Sequence, residues 1–399
     1  MTKRLVLMLS VVAVGVVVGR ATGGVSDVLS GSFYTPIVTG LLAVGLYGST
    51  HSIDVPQLRG DVRTIILAVT LGVVMKAALI TGVMFAVFHN TAYLVLGVAV
   101  AQIDPLSVVA LGRSSRLSPR SRRLLLAWAS FDDPVTTLLT IYVAAVALSL
   151  HTGNAAVGLD LGGPGAFAVN LLGNAAVAAV AMLAYRWARR LSPWPRFVVA
   201  CALLVGVFVI AIVQEWVLAV ALAGLAIRPV LPGRPAAVAR LLDAGIDTAF
   251  VLASGLLGLV LALGISPLPG LVLGITAFAV HALVSVPLTR AQTASDRIRL
   301  ALAQQNGITA IILALLLEPA FGGTVAVVAP AILVINVLYL AGNGLYGSYG
   351  TTGRWPSARR LTGRRGEVSI DVARQVEESR GNVRLGQGAL SSASYPDRR

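Results

Sequence analysis

Residues Ala101–Thr140 read AQIDPLSVVALGRSSRLSPRSRRLLLAWASFDDPVTTLLT. Asp132 and Asp133 stand inside an apolar run from about Leu124 to Leu150, and Asp104 interrupts the apolar run before it. An acidic side chain at mid-bilayer costs roughly 2.5–3.5 kcal/mol, so a vicinal pair is retained only where it faces a cavity, a partner or an ion. One segment earlier, Lys76 breaks a further apolar run. Ionisable groups in successive oily segments mark a polar path through the protein.

The chain is 56% hydrophobic and 12% charged, with a mean hydropathy of +0.84. A water-soluble fold of 399 residues would not have this composition. Runs of about 17–27 apolar residues recur along it, each long enough to cross a hydrocarbon core of roughly 30 Å at 1.5 Å per residue. About twelve spans are expected, at 4–20, 33–50, 62–88, 91–112, 123–150, 164–187, 196–213, 215–231, 247–265, 267–289, 298–319 and 321–345. This is an all-α polytopic membrane protein. Lys3 and Arg4 before a short apolar run would also suit a cleaved leader, but no clear small-residue cleavage site follows, and Arg20 with its glycines reads as a helix end.

A net charge of +14 would suggest nucleic acid in a soluble protein; here the positions of the cations account for it. Lys3, Arg4, Arg59, Arg63, Arg113, Arg116, Arg120, Arg122 and Arg123 fall in every second loop, as do Arg186, Arg189, Arg190 and Arg196. Arg228, Arg234, Arg240, Arg290, Arg297 and Arg299 continue the alternation. By the positive-inside rule both termini lie in the cytoplasm and the chain is multi-pass in the cell membrane, with no nucleic-acid partner. From about Ser348 large apolar residues become rare, so 348–399 reads as a disordered cytoplasmic tail whose basic stretch Arg354–Arg365 lies against anionic headgroups, and 1–347 as the membrane domain. A lone cysteine, Cys201, excludes an intrachain disulfide, and His51, His89, His151 and His281 show no metal-ligand spacing. Neither a Walker loop nor a dinucleotide fingerprint occurs, so no cofactor is expected and ATP drive is disfavoured.

In the fifth span Ser130, Asp133 and Thr137 share a helix face, with Asp132 turned by about 100°. Pro134 cannot donate to the carbonyl of Ser130, which leaves a spare oxygen beside the carboxylates. Carboxylate, hydroxyl and free carbonyl are the donors a hard cation takes. The competing reading of Asp-Asp-Pro is a helix N-cap. In the fourth span the pair Asp104-Pro105 breaks the helix, freeing the Ala101 carbonyl. Gln304-Gln305-Asn306-Gly307 interrupts the eleventh span in the same way, unless these amides only bond neighbouring helices. Paired broken helices in two halves are the mark of secondary transporters. Repeat 1 would run over about 33–150 and repeat 2 over about 247–345. Lys76 and His281 then occupy related places in the third and tenth spans, and either is a candidate charge partner for an aspartate. Asn336 belongs to packing or to the site, and Glu215 and Glu318 are expected to face water at outward helix ends.

Ala101–Thr140 resembles the core of the monovalent cation:proton antiporter superfamily, the sodium/proton exchanger family. Its members show an Asp-Pro helix break, a short basic loop and an acidic pair in the next helix, in this order. Weaker similarity extends through LLAVGLYGSTHSIDVPQLRGDVR upstream, with Asp54 after a Gly-rich helix end, and through AFAVHALVSVPL and AQQNGITAIILAL downstream. The resemblance implies a fold of two inverted repeats with crossed broken helices. It implies that Asp133 binds cation and proton, that Asp132 marks the electrogenic type, and that Asp104 balances the facing helix dipoles. A homodimer is implied too. The chain departs from the pattern at Ile103, where threonine is usual, at Trp128 and Ala129, where electroneutral members carry Glu-Ser, and at His281, where the family has Lys or Arg. Lys76 is then the candidate that compensates.

The expected activity is exchange of a monovalent cation (Na+, with Li+ or K+ as alternatives) for protons, each competing for the buried aspartates. A sodium-coupled organic-anion symporter of similar architecture, or a potassium efflux system, is the alternative. An intramembrane aspartyl protease would need Gly-x-Gly-Asp, which the chain lacks.

Overall fold

The computed structural model describes residues 2–51, 53, 61–90, 92–105, 108, 117–152 and 163–351. Asp54, Arg59, Arg113, Arg116 and the tail from residue 352 lie outside the described residues. The chain divides into two units, Met1–Tyr346 and Gly347–Arg399.

Among the described residues the structure is helical without strands. The helices are α1 (Thr2–Thr22), α2 (Val25–Ser30), α3 (Tyr34–His51), α4 (Val62–Phe88), α5 (Ala92–Ala99), α6 (Pro119–Thr152) and α7 (Gly163–Ala188). They continue as α8 (Pro193–Gln214), α9 (Val217–Ala226), α10 (Pro235–Leu261), α11 (Pro267–Leu288), α12 (Ala294–Ala301), α13 (Ile308–Leu317) and α14 (Thr324–Thr351). Seven of these, α4, α6, α7, α8, α10, α11 and α14, are long and apolar enough to cross a membrane. Their outer faces carry exposed Val180, Leu183, Val205, Val213, Leu283 and Val337, as hydrocarbon contact requires.

Each of the twelve expected spans contains a helix, and α4 coincides with 62–88. Three differ in form. The eighth is helical only over Val217–Ala226, because Ile227 turns extended and its carbonyl accepts from Tyr47 Oη at 3.1 Å. The fourth and eleventh are broken. α10 starts at Pro235, ahead of the expected 247, since proline at the first helical position suits a helix start. The short α2 was not foreseen.

Small residues set the closest helix pair. Gly15 of α1 faces Gly255 and Gly258 of α10, and Gly19 faces Leu259 and Ala262, so tightly that a Cβ on Gly258 would meet the Val12 oxygen at 2.1 Å. Without lipid-expelling forces between helices, such close backbone contact is what holds a membrane pair together. α3 packs against α9, α10 and α13, and α9 against α7 and α8. Within α4, residues Ala68–Gly72 wind as a π-helix.

Pieces of the two halves meet: α4 lies on α11, its counterpart in the other half, α6 lies on α13, and the break after α5 lies on the break after α12. Asp104 N–H donates to the Gln305 carbonyl at 2.9 Å. Gln304 Nε2 donates to the Gln102 carbonyl at 2.9 Å, and Asn306 Nδ2 to the Val100 carbonyl at 2.9 Å. Asn336 of α14 donates to the Asn306 carbonyl at 3.1 Å. The first break therefore begins at Val100 rather than at the Ala101 carbonyl that Pro105 alone would free, because amides from the other repeat supply donors for the unwound carbonyls. Non-helical backbone at this depth is tolerated for that reason.

Candidate functional site at the helix crossing

The long helix α6 holds both aspartates against this crossing. Asp132 and Asp133 are 0% and 1% exposed, which answers the alternative of a solvent-facing N-cap: Pro134 lies inside α6, not at its start. Lys76 of α4 is also fully buried and grips Asp132 with two contacts, Nζ to Oδ2 at 2.8 Å and to Oδ1 at 3.1 Å. Ile103 N–H, freed by the helix break, donates to Asp132 Oδ2 at 2.9 Å. The break thus supplies a main-chain donor to the carboxylate.

Asp133 has different partners. Thr309 Oγ1, in the first turn of α13, donates to its Oδ2 at 3.0 Å. The Gln102 amide, oriented to satisfy both of its ends, donates to Asp133 Oδ1 at 3.0 Å and accepts from Ala310 N–H at 2.8 Å. Its charged neighbours are Asp104, Asp132 and Lys76. Asp104 is 4% exposed, and its carboxylate rests against Gly307, where a Cβ would fall 1.8 Å from Oδ2. Gly307 is needed for that close approach.

The hydroxyls of Ser130 and Thr137 are buried with Asp133 as the spacing predicted, yet neither bonds a described residue; nor does that of Thr136. Gln304 Oε1 and Gln305 Oε1 are buried and likewise without a donor among the described residues. Oxygens of this kind gathered on α6 and in the second break are the acceptors a cation or water would use. Among the described residues there is no group of three His, Cys, Asp or Glu side chains spaced to hold a metal ion, so a cation here would draw on hydroxyl, amide and carbonyl oxygens beside carboxylate.

Two expectations need correction. His281 does not join the ion pair: its Nε2 meets the Leu300 carbonyl at 3.1 Å and Ser285 Oγ at 3.1 Å. It satisfies a carbonyl at the end of α12, so Lys76 is the partner of Asp132 and His281 is not. Glu318 is buried, not in water. Its carboxylate accepts from Gly323 N–H and Val325 N–H, each at 2.7 Å, and lies 2.7 Å from Thr324 Oγ1, capping α14. Thr309 and Gln102 were missed, although threonine two residues after a helix-breaking glycine was the available signal for the first.

Fold and site together define a polytopic helical membrane protein in which two broken helices cross around buried carboxylates and a buried lysine. Among solved structures the chain is similar to the sodium proton antiporter MjNhaP1 from Methanocaldococcus jannaschii. The similarity to its structure at pH 8 has a TM-score of 0.54 and 16% identity, covering 88% of this chain and 98% of that one. An electron-microscopy structure of the same protein gives a TM-score of 0.52 and 17% identity, over 80% of this chain and 85% of that one. At this identity the likeness establishes the fold. No protein-family model matches the chain, and its sequence matches no curated protein.

Proposed function

We propose that this protein exchanges a monovalent cation, sodium in the first place, for protons across the cell membrane by alternating access, with net charge movement. The observation that carries the reading is the buried Lys76–Asp132 ion pair beside Asp133 at the point where two helix breaks cross. The fold it shares with a protein whose name is sodium proton antiporter supports it.

The chemistry rests on one competition. A carboxylate closed off from water is stable when it is protonated, paired with a cation or bonded by donors, and these states exclude one another. A cation that takes Asp133 and Asp132 must displace bound protons and pull Asp132 from Lys76. Net charge moves in each cycle when the proton-loaded site carries a proton on Asp132, then released from Lys76, as well as on Asp133, so that two protons exchange for one singly charged ion while Lys76 keeps its charge. Asp104, Ser130, Thr137 and the amides of Gln304, Gln305 and Asn306 would complete or shape the ion's oxygen shell. Residues 1–347, with repeats over about 33–150 and 247–345, would carry transport in a homodimer with both termini in the cytoplasm. Residues 348–399 would form the basic tail.

The test is proton flux in liposomes containing the purified protein, on adding Na+, Li+ or K+, with and without imposed voltage. Wild type should release protons in a voltage-dependent manner, and Asp133→Asn should abolish the flux while reconstituting normally. Normal exchange by Asp133→Asn would remove the assignment. Flux that needs an added organic anion would favour a symporter.

A further inference from the structure

Trp128 lies four residues before Asp132 on α6, on the same helix face, and is fully buried. Lys76 Nζ stands over its ring, 5.7 Å from the centroid, while holding Asp132. The His281 ring lies 5.6 Å from the indole, centroid to centroid, tilted by 39°, and is itself fixed by the Leu300 carbonyl and Ser285. The indole is therefore braced on one neighbour and presents its π-face to the ammonium. An ammonium over the ring is a contact that an aliphatic side chain of equal bulk could not make.

Resting on the exchange reading above, we propose that Trp128 is a positioning residue for Lys76. When a cation takes Asp132, the displaced ammonium has its attraction to the indole face to fall back on, so the lysine stays charged within the site and returns when the cation leaves. An ammonium stripped of its carboxylate in a dry interior has no water to solvate it, and attraction to a tryptophan face is strongest when desolvated. No bond is made or broken in this step, and no proton needs to move.

The experiment measures binding of radiolabelled sodium to the purified protein for wild type, Trp128→Leu and Trp128→Phe, each with and without Lys76→Ala. Trp128→Leu should raise the half-saturating sodium concentration by roughly 3–10-fold, since only part of the cation–π attraction differs between the two lysine positions. Trp128→Phe should fall between. Both effects should vanish in the Lys76→Ala background. An effect of equal size without Lys76 would show a packing role and overturn the proposal, as would a Trp128→Leu protein indistinguishable from wild type. Should Trp128→Leu fail to fold, the Trp128→Phe pair makes the same comparison.

A second measurement is independent of transport. In a protein with Trp187, Trp194, Trp216 and Trp355 replaced by Phe, Lys76→Ala should shift the emission of Trp128; an unchanged spectrum would refute the contact. If wild type exchanges no alkali cation for protons, the exchange reading fails, and this emission alone decides the contact.

Discussion

Replacing Lys76 by methionine tests the electrostatics of the site most directly. The ammonium sits 2.8 and 3.1 Å from the two oxygens of Asp132, and both side chains are 0% exposed. Methionine keeps the length and fills the space but removes the charge, leaving Asp132 with the Ile103 N–H as its remaining main-chain donor among those described. Removing one partner of such a pair typically costs about 3–5 kcal/mol, because an uncompensated charge remains in a medium that solvates it poorly. Lys76→Met should therefore unfold at markedly lower temperature or denaturant than wild type near neutral pH. The deficit should shrink as the pH is lowered, since a proton on Asp132 removes the stranded charge. The double variant Lys76→Met/Asp132→Asn should recover most of the loss, as a neutral pair has no charge to strand. Thermal unfolding in detergent across pH measures all three. A single variant within about 0.5 kcal/mol of wild type at neutral pH, or a double variant no better than the single, would show that the pair carries no such energy.

Other perturbations read separate parts of the molecule. Glu318→Ala leaves two backbone N–H groups of the α13–α14 turn without their acceptor and should cost about 2–4 kcal/mol, with Glu318→Gln intermediate; equal stability of all three would refute the capping role. Gly307→Ala forces a methyl into the Asp104 carboxylate and should cost at least about 1–3 kcal/mol and weaken sodium binding, which titration of labelled sodium would show. Asp296, at the start of α12, is partly desolvated, which by itself would push its carboxyl up. Hydrogen bonds with Ser118, Ser121 and Thr293 outweigh that and hold it below the ordinary carboxylate range. A depressed value in the folded state contributes stability that is present above the unfolded value of about 4 and is lost as pH falls through the folded one. The stability gap between wild type and Asp296→Asn should thus be open at neutral pH and close in acid; a gap that persists or widens in acid contradicts the sign.

The breaks were legible in the sequence because proline, glycine and amides carry local backbone consequences. Their onset was not: α5 stops at Ala99 because Gln304 and Asn306, some two hundred residues away, bond to carbonyls just after it. Lys76 and His281 were equivalent by position in their helices. What separated them is that Leu300 ends a helix beside His281, a fact set by packing rather than by either local sequence. Glu318 looked like a solvated helix end, yet Gly322-Gly323-Thr324 behind it already described a tight turn into the next helix, whose N–H groups need an acceptor. The Ser130–Asp133–Thr137 stripe follows from helical geometry and was found. The Thr309 and Gln102 contacts with Asp133 depend on how the two repeats dock, which no single segment encodes.

The π-wound turn of α4 has a rotational meaning. Buried Ile65, Val69, Val73 and Ala77 recur every four residues, and at about 100° per residue each such step overshoots a full circle by about 40°, or about 120° across the series. One widened turn takes up nearly all of that excess, so the inward stripe stays in phase along the helix axis. Were Ala68–Gly72 wound like its flanks, the ammonium of Lys76 would point roughly a quarter-circle or more away from Asp132, toward the oily exterior. The azimuth of the lysine is set one turn beneath it.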